Sequence, residues 1–93
     1  MRRSKLESYE AILAALVETP LNIDGLAYKT KMHCEVLYRR IKALIKYGLV
    51  KEKNKNGIKM YVITERGQSV YRTLNFQKQL RKIAKTINVE NKR

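Results

Sequence analysis

The sequence predicts a mainly α-helical domain that carries one small β-hairpin, in the order α-α-α-β-β-α, with the last helix extended beyond the domain. Three observations lead there. Apolar residues recur at helical spacing in separate stretches before Gly48. On either side of Asn56-Gly57 the pattern becomes strand-like, and that dipeptide is the strongest short-range hairpin signal. After Thr64 the helical spacing returns and continues almost to the last residue.

The first helix is announced by "SKLE" at 4–7, a capping box in which Ser4 bonds the Glu7 amide while Glu7 reaches back. Leu6, Tyr9, Ile12, Leu13, Leu16 and Val17 then form an apolar stripe. Pro20 disfavours helix at Thr19 and ends it. In "LNIDGLAYKTKM", Asn22 or Asp24 caps a short second helix. It turns Ile23, Leu26 and Ala27 inward, and Met32 packs after it. The chain turns around Thr30 to His33. A third helix runs from Cys34 to about Tyr47, buries Leu37, Ile41, Leu44 and Ile45, and stops at Gly48 as a left-handed terminator.

"LVKEKNKNGIKMYVIT" follows. With Asn56-Gly57 at the turn centre, Val50 pairs with Ile63 and Glu52 with Tyr61, so Val50, Tyr61 and Ile63 share the core face. The opposite face holds Lys51 and Lys53 with Ile58, Met60 and Val62, and is more apolar than a free face normally is. Thr64 caps the last helix, Glu65 sits in its first turn, and the helix runs to roughly Asn88. Its first half offers Val70, Tyr71 and Leu74 to the domain. Its second half offers Phe76, Leu80, Ile83 and Ile87, spaced four, three and four apart as in a coiled-coil seam. The chain thus divides into a domain at 1–75 and a dimerisation helix with a basic tail at 76–93, ending in a frayed "VENKR".

Composition narrows the partners. The 93 residues include 21 Lys plus Arg and 8 Asp plus Glu, a formal charge of +13. Self-repulsion at that charge opposes the compact state, and a polyanion relieves it. Nucleic acid is the first candidate, an anionic membrane surface the second, a plain solvated surface the third. The N-terminus lacks the apolar run and cleavage site of a signal peptide, and "AILAALV" is too short to span a bilayer. Cys34 and His33 are too few ligands for zinc, and one cysteine makes no internal disulfide. With no Gly-rich phosphate loop and no nucleophile-base-acid set, the chain reads as no enzyme. It has no cofactor, no metal and no evident small-molecule ligand.

Two short helices joined by a tight turn, followed by a basic hairpin, describe a winged helix-turn-helix. The stretches "LAYKTKM", "LYRRIKALIKYGLV" and "YVITERG" carry a resemblance to the winged-helix DNA-binding proteins of archaea and of their viruses and plasmids. The chain is most similar to the small dimeric chromatin-associated type, whose last helix forms an antiparallel coiled coil. The resemblance implies double-stranded DNA as partner, a homodimer through the C-terminal helix, no membrane, and a cytoplasmic, nucleoid-associated location (the host cytoplasm for a viral protein).

In this fold the third helix enters the major groove. The groove-facing set is then His33, Glu35, Val36, Tyr38, Arg39 and Lys42, and with Leu37, Ile41 and Leu44 buried the helical wheel turns 35, 38, 39 and 42 outward. Arg39 either grips guanine O6 and N7 with both arms or pairs with Glu35 one turn earlier. Glu35 accepts from cytosine or serves the helix dipole. Arg40 and Lys46, toward the flanks, are phosphate candidates or solvated surface. Tyr38 donates to phosphate or covers apolar surface. On the wing, Lys51, Lys53, Lys55, Asn56 and Lys59 surround a slim tip that fits a minor groove or a phosphate ridge, or else guards a strand edge. Arg2 and Arg3 form a flexible basic arm. Cys34 is read as a small half-buried residue or a redox switch.

The leading function is a dimeric DNA-binding transcription regulator. The alternatives are a nonspecific chromatin-architectural protein and, in another class, a winged helix used as a protein-interaction module. Phe76, Leu80, Ile83 and Ile87 supply the dimer surface, or else pack back onto the first helix of the same chain.

Overall fold

The computed structural model describes residues 4–91, with side chains through residue 84. The elements are α1 (Lys5–Glu18), α2 (Ile23–Thr30), α3 (Cys34–Lys46), β1 (Val50–Lys55), β2 (Ile58–Ile63) and α4 (Glu65–Asn91). This is the predicted order, a winged helix-turn-helix. The last helix continues three residues past the expected Asn88, through part of the stretch expected to fray.

Helix α1 begins at the predicted box: Ser4 Oγ accepts from the Glu7 amide at 3.1 Å, and the Ser4 amide donates to Glu7 Oε1 at 3.0 Å. Its buried face runs through Ser8, Ile12, Leu13, Ala15 and Leu16. Leu6 and Val17, expected in the stripe, are exposed. The core has rotated toward the small side chains because α2, α3 and β2 all pack on this helix. Asn22 is the cap of α2, accepting from the Gly25 amide at 2.8 Å, and Leu26 is fully buried. Thr30 is buried too, its hydroxyl donating to the Leu26 carbonyl at 2.7 Å, a back-bond within the helix that the apolar pattern did not reveal. Lys31 then turns the chain with φ 61°.

Helix α3 is pinned by Leu37, Ile41 and Leu44, each at most 1% exposed. Burying such a side chain contributes about 1.5–3 kcal/mol. Two hydrogen bonds close its end: Gly48 donates to the Ile45 carbonyl at 3.0 Å and Leu49 to the Leu44 carbonyl at 2.9 Å. With Gly48 at φ 77°, this is the paired termination that glycine permits without a Cβ penalty.

The hairpin has the predicted register, Val50 with Ile63 and Glu52 with Tyr61, around Asn56 and Gly57 at φ 54° and 81°. Positive φ at both positions matches the right-handed twist of the strands. Val50, Tyr61 and Ile63 are buried, as the register requires. Leu21 bridges to the far edge of β2, donating to the Tyr61 carbonyl at 3.2 Å and accepting from its amide at 2.8 Å. A single residue after Pro20 thus acts as a third strand, too short for any sequence pattern to show.

Helix α4 is fastened to the end of α3. The Thr64 amide donates to the Leu49 carbonyl at 3.0 Å, and the Thr64 hydroxyl donates to the Gly48 carbonyl at 2.7 Å while accepting from the Gly67 amide at 3.0 Å. Gly67 lies against the Leu49 carbonyl so closely that an added Cβ would collide with it, and would stand 2.7 Å from Ile63 Cγ1. The motif "GLV…YVITERG" is therefore one lock, with Gly48, Thr64 and Gly67 as its parts.

Beyond the lock, α4 divides by face. Tyr71, Leu74, Lys78 and Arg81 line a groove shared with Leu6, Glu10 and Ala14 of α1, and Lys78 pairs with Glu10 at 3.6 Å. At about 100° per residue, Phe76, Leu80 and Ile83 lie on the other side of the helix. They are 62%, 47% and 53% exposed. The predicted seam does not fold back onto α1, because α1 already occupies the opposite face. The side chain of Ile87 falls outside the described residues.

Candidate nucleic-acid interface

The amphipathic pattern of α3 makes the site. With Leu37, Ile41 and Leu44 inward, Glu35, Arg39, Lys42 and Lys46 fall on one outward stripe at spacings of four, three and four, and all four are exposed. Lys46, which the sequence placed on a flank, is in line with Arg39 and Lys42. Among the described residues no ion pair joins Glu35 to Arg39. His33 is the α3 N-cap but makes no capping hydrogen bond, and both it and Cys34 are exposed. The half-buried position expected for Cys34 is not found: Cys34 is the first residue of α3 and stands exposed, ahead of the buried Leu37.

The two flanks of the stripe differ. Tyr38, 47% exposed, leans toward the hairpin, where burial, then the Glu52 carboxylate, then Tyr38 itself raise the pKa of the Tyr61 phenol. On the other flank Val36 and Arg40 are half-buried, and Arg40 Nε is enclosed without a hydrogen-bond partner. Val36 and Arg40 therefore border the outward stripe rather than belong to it.

The wing stands beside α3, which packs on β1. Lys51, Lys53, Lys55, Asn56 and Lys59 are exposed. Lys59 is held 3.8 Å from Glu52 on the inner face, while Lys51, Lys53 and Lys55 lie on the outer face with no ion pair among the described residues. Asn54, which carries no signal of its own in the sequence, accepts from the Gly57 amide at 3.0 Å and stiffens the tip. Arg2 and Arg3 lie outside the described residues.

A further exposed group lies at the turn between α2 and α3, where the sequence offers Tyr28 and Lys29 as contacts to a nucleic-acid backbone or as plain surface. Tyr28 is 78% exposed, and the Lys31 ammonium stands 5.7 Å from its ring centre. Lys31 takes a left-handed conformation without being glycine, within the turn expected around Thr30 to His33. Lys29, by contrast, is engaged with Glu18 at 3.3 Å. Among the described residues no group of three or more His, Cys, Asp or Glu could hold a metal ion, and no helix is long and apolar enough to cross a membrane.

A three-helix core with a hairpin wing and an outward cationic helix defines the winged-helix class. The chain belongs to the winged helix-turn-helix family, whose model matches residues 2–84. Similar solved structures include Sso10a-2, a DNA-binding protein from Sulfolobus solfataricus, with 21% identity over 98% of this chain and 99% of that one, and TM-score 0.71. The transcriptional regulator BldR from Sulfolobus solfataricus is 22% identical over 91% of this chain and 62% of its own, with TM-score 0.71. A PadR family transcription regulator from Clostridium difficile is 16% identical over 89% of this chain and 95% of its own, with TM-score 0.73. At these identities the likeness is one of fold. No curated protein matches the sequence.

Proposed function

We propose that this protein is a dimeric, non-catalytic, double-stranded DNA-binding transcription regulator of archaeal or archaeal-viral type. Residues 1–75 form the DNA-binding domain, and 76–93 the dimerisation helix and basic tail. The observation that carries the reading is the outward Glu35, Arg39, Lys42 and Lys46 stripe of α3 beside a lysine-rich wing. In the docking geometry of this fold that helix enters the major groove, with His33, Glu35, Tyr38 and Arg39 toward base edges and Lys42 and Lys46 toward phosphate. Val36 and Arg40 serve from the flank, and the wing and the Arg2-Arg3 arm follow the adjacent backbone or minor groove. The partner duplex also relieves the self-repulsion of a +13 chain.

The exposed Phe76, Leu80 and Ile83 support a homodimer, with Ile87 extending the same seam. Antiparallel pairing of α4 staggers Lys78, Arg81 and Lys82, which a parallel pair would align. A nonspecific chromatin-architectural protein is the second reading, supported by the +13 charge, since phosphate contacts carry no sequence information. Selecting bound sequences from a random duplex pool separates the two. A regulator prefers its selected site over random DNA by roughly 10³ or more, and a chromatin coat does not.

Two substitutions divide the labour within the interface. Arg39→Ala is expected to cost about 1–3 kcal/mol on the selected site and to relax base preference at one position. Equal losses on selected and random duplexes would make Arg39 a phosphate contact instead. Lys53→Ala combined with Lys55→Ala is expected to weaken all sequences alike and to flatten the salt dependence by about 0.9 per lost phosphate contact. An unchanged slope would remove the wing from the interface.

A further inference from the structure

The hairpin has two unlike faces. The inner one continues the core through Val50, Tyr61 and Ile63, and farther out it balances Lys59 against Glu52. On the outer one Lys51 stands opposite Val62, Lys53 opposite Met60 and Lys55 opposite Ile58. A row of three lysines on β1 therefore runs beside a row of three apolar side chains on β2. The lysines are exposed, Ile58 is 52% exposed, and Met60 and Val62 are half-buried. No carboxylate lies on this face.

Edge protection explains the lysines, since β1 is the outer strand of the sheet. It does not explain the apolar row. Strand β2 is bridged by Leu21 at Tyr61 only, apolar side chains guard no edge, and Ile58, Met60 and Val62 are not among the core residues. The two rows run one strand spacing apart, roughly 4.8 Å, and the lysines follow each other at roughly 6.7 Å. A nucleic-acid strand presents the complementary pair of rows: anionic phosphates, and beside them sugars whose exposed carbons are apolar.

We propose that the outer face of the wing lies along one strand of the duplex, with Lys51, Lys53 and Lys55 on phosphates and Ile58, Met60 and Val62 against deoxyribose, and that it thereby selects DNA over RNA. The proposal rests on the DNA-binding reading above and adds which side of the wing is used and what it discriminates. The uncompensated positive row favours a polyanion over an apolar protein partner. The apolar row supplies the sugar preference. A ribose in the same place would press its 2′-hydroxyl against hydrocarbon and lose hydrogen bonds to water, which a deoxyribose does not.

The test measures affinity across a salt series for a mixed-sequence DNA duplex and for the DNA·RNA hybrid of the same sequence. Wild type is compared with Ile58→Thr/Met60→Gln and with Lys59→Ala. Comparing ratios between proteins cancels the difference in helix shape. The double variant should lose about tenfold on DNA, the scale of one buried apolar side chain. Its salt slope should stay unchanged, and its preference for DNA over the hybrid should fall by the same factor. Lys59→Ala should leave that preference as in wild type. Ile58→Thr alone, at an exposed position, should act in the same direction and guards against misfolding of the double variant. Full DNA affinity in both Ile58 variants, or equal losses on DNA and hybrid, would overturn the proposal while leaving wild-type DNA binding intact. Absence of wild-type binding to the duplex would overturn the DNA-binding reading along with it.

Discussion

Gly67→Ala is expected to abolish stable folding or to lower Tm by more than any single surface change. The methyl group would meet the Leu49 carbonyl, and would stand 3.0 Å from its carbon and 2.7 Å from Ile63 Cγ1. Backbone cannot rotate aside as a side chain can. Relief requires withdrawing the first turn of α4, which breaks the Thr64 bonds to Gly48 and Leu49 and uncovers Ile63. Overpacking of a close-packed site typically costs about 1–3 kcal/mol, and the backbone collision here places the expected loss at the upper end or beyond. Against a total of roughly 5–15 kcal/mol, that is a large share. Each kcal/mol moves Tm by about 4–8 °C in a domain of this size. A thermal melt within experimental error of wild type would show that α4 does not seat as described.

Leu80→Asp together with Ile83→Asp is expected to turn the proposed dimer into a monomer that keeps its fold. Both side chains are about half exposed in the single chain and face away from α1, so their loss leaves the domain core untouched. In a dimer, the two new carboxylates would be buried against the partner's seam without water, which costs far more than an apolar contact contributes. Sedimentation at tens of micromolar, well above a typical ~1 μM dissociation constant, distinguishes the states. Wild type should sediment as a dimer and the double variant as a monomer with an unchanged helical spectrum. Wild type sedimenting as a monomer would sink the dimer.

The features legible in the sequence follow from local rules. The capping box at Ser4, the Asn56-Gly57 turn and the Gly48 terminator are each written within a few residues, and each formed. The hairpin register follows from the turn alone, and the alternation of residues around that turn is enough to expose the excess of apolar side chains on the outer face. What escapes depends on contacts between distant segments. Gly67 looks like an ordinary glycine near a helix start until Leu49 is placed against it. Leu21 has a strand partner only because β2 passes beside it. Leu6 and Val17 keep the helical period, yet the core settles on Ser8 and Ala15, because the crowding of α2, α3 and β2 chooses the face. In the candidate site, the helical wheel finds Glu35, Arg39 and Lys42. It cannot show that Arg40 is half-buried, that Lys59 is engaged by Glu52, or that Tyr28 and Lys31 meet at the turn.

The central claim is that the α3 stripe and the wing together bind duplex DNA through its phosphates. The direct measurement is the affinity of the wild-type protein for a mixed-sequence duplex as a function of salt. Lys42, Lys46, Lys51, Lys53 and Lys55 all stand exposed on the proposed surface. At about −0.9 per neutralised phosphate, they predict a straight fall of log affinity with log salt at a slope near −4 to −5 per protomer. A flat dependence, or no binding to duplex DNA even at low salt, would contradict the account.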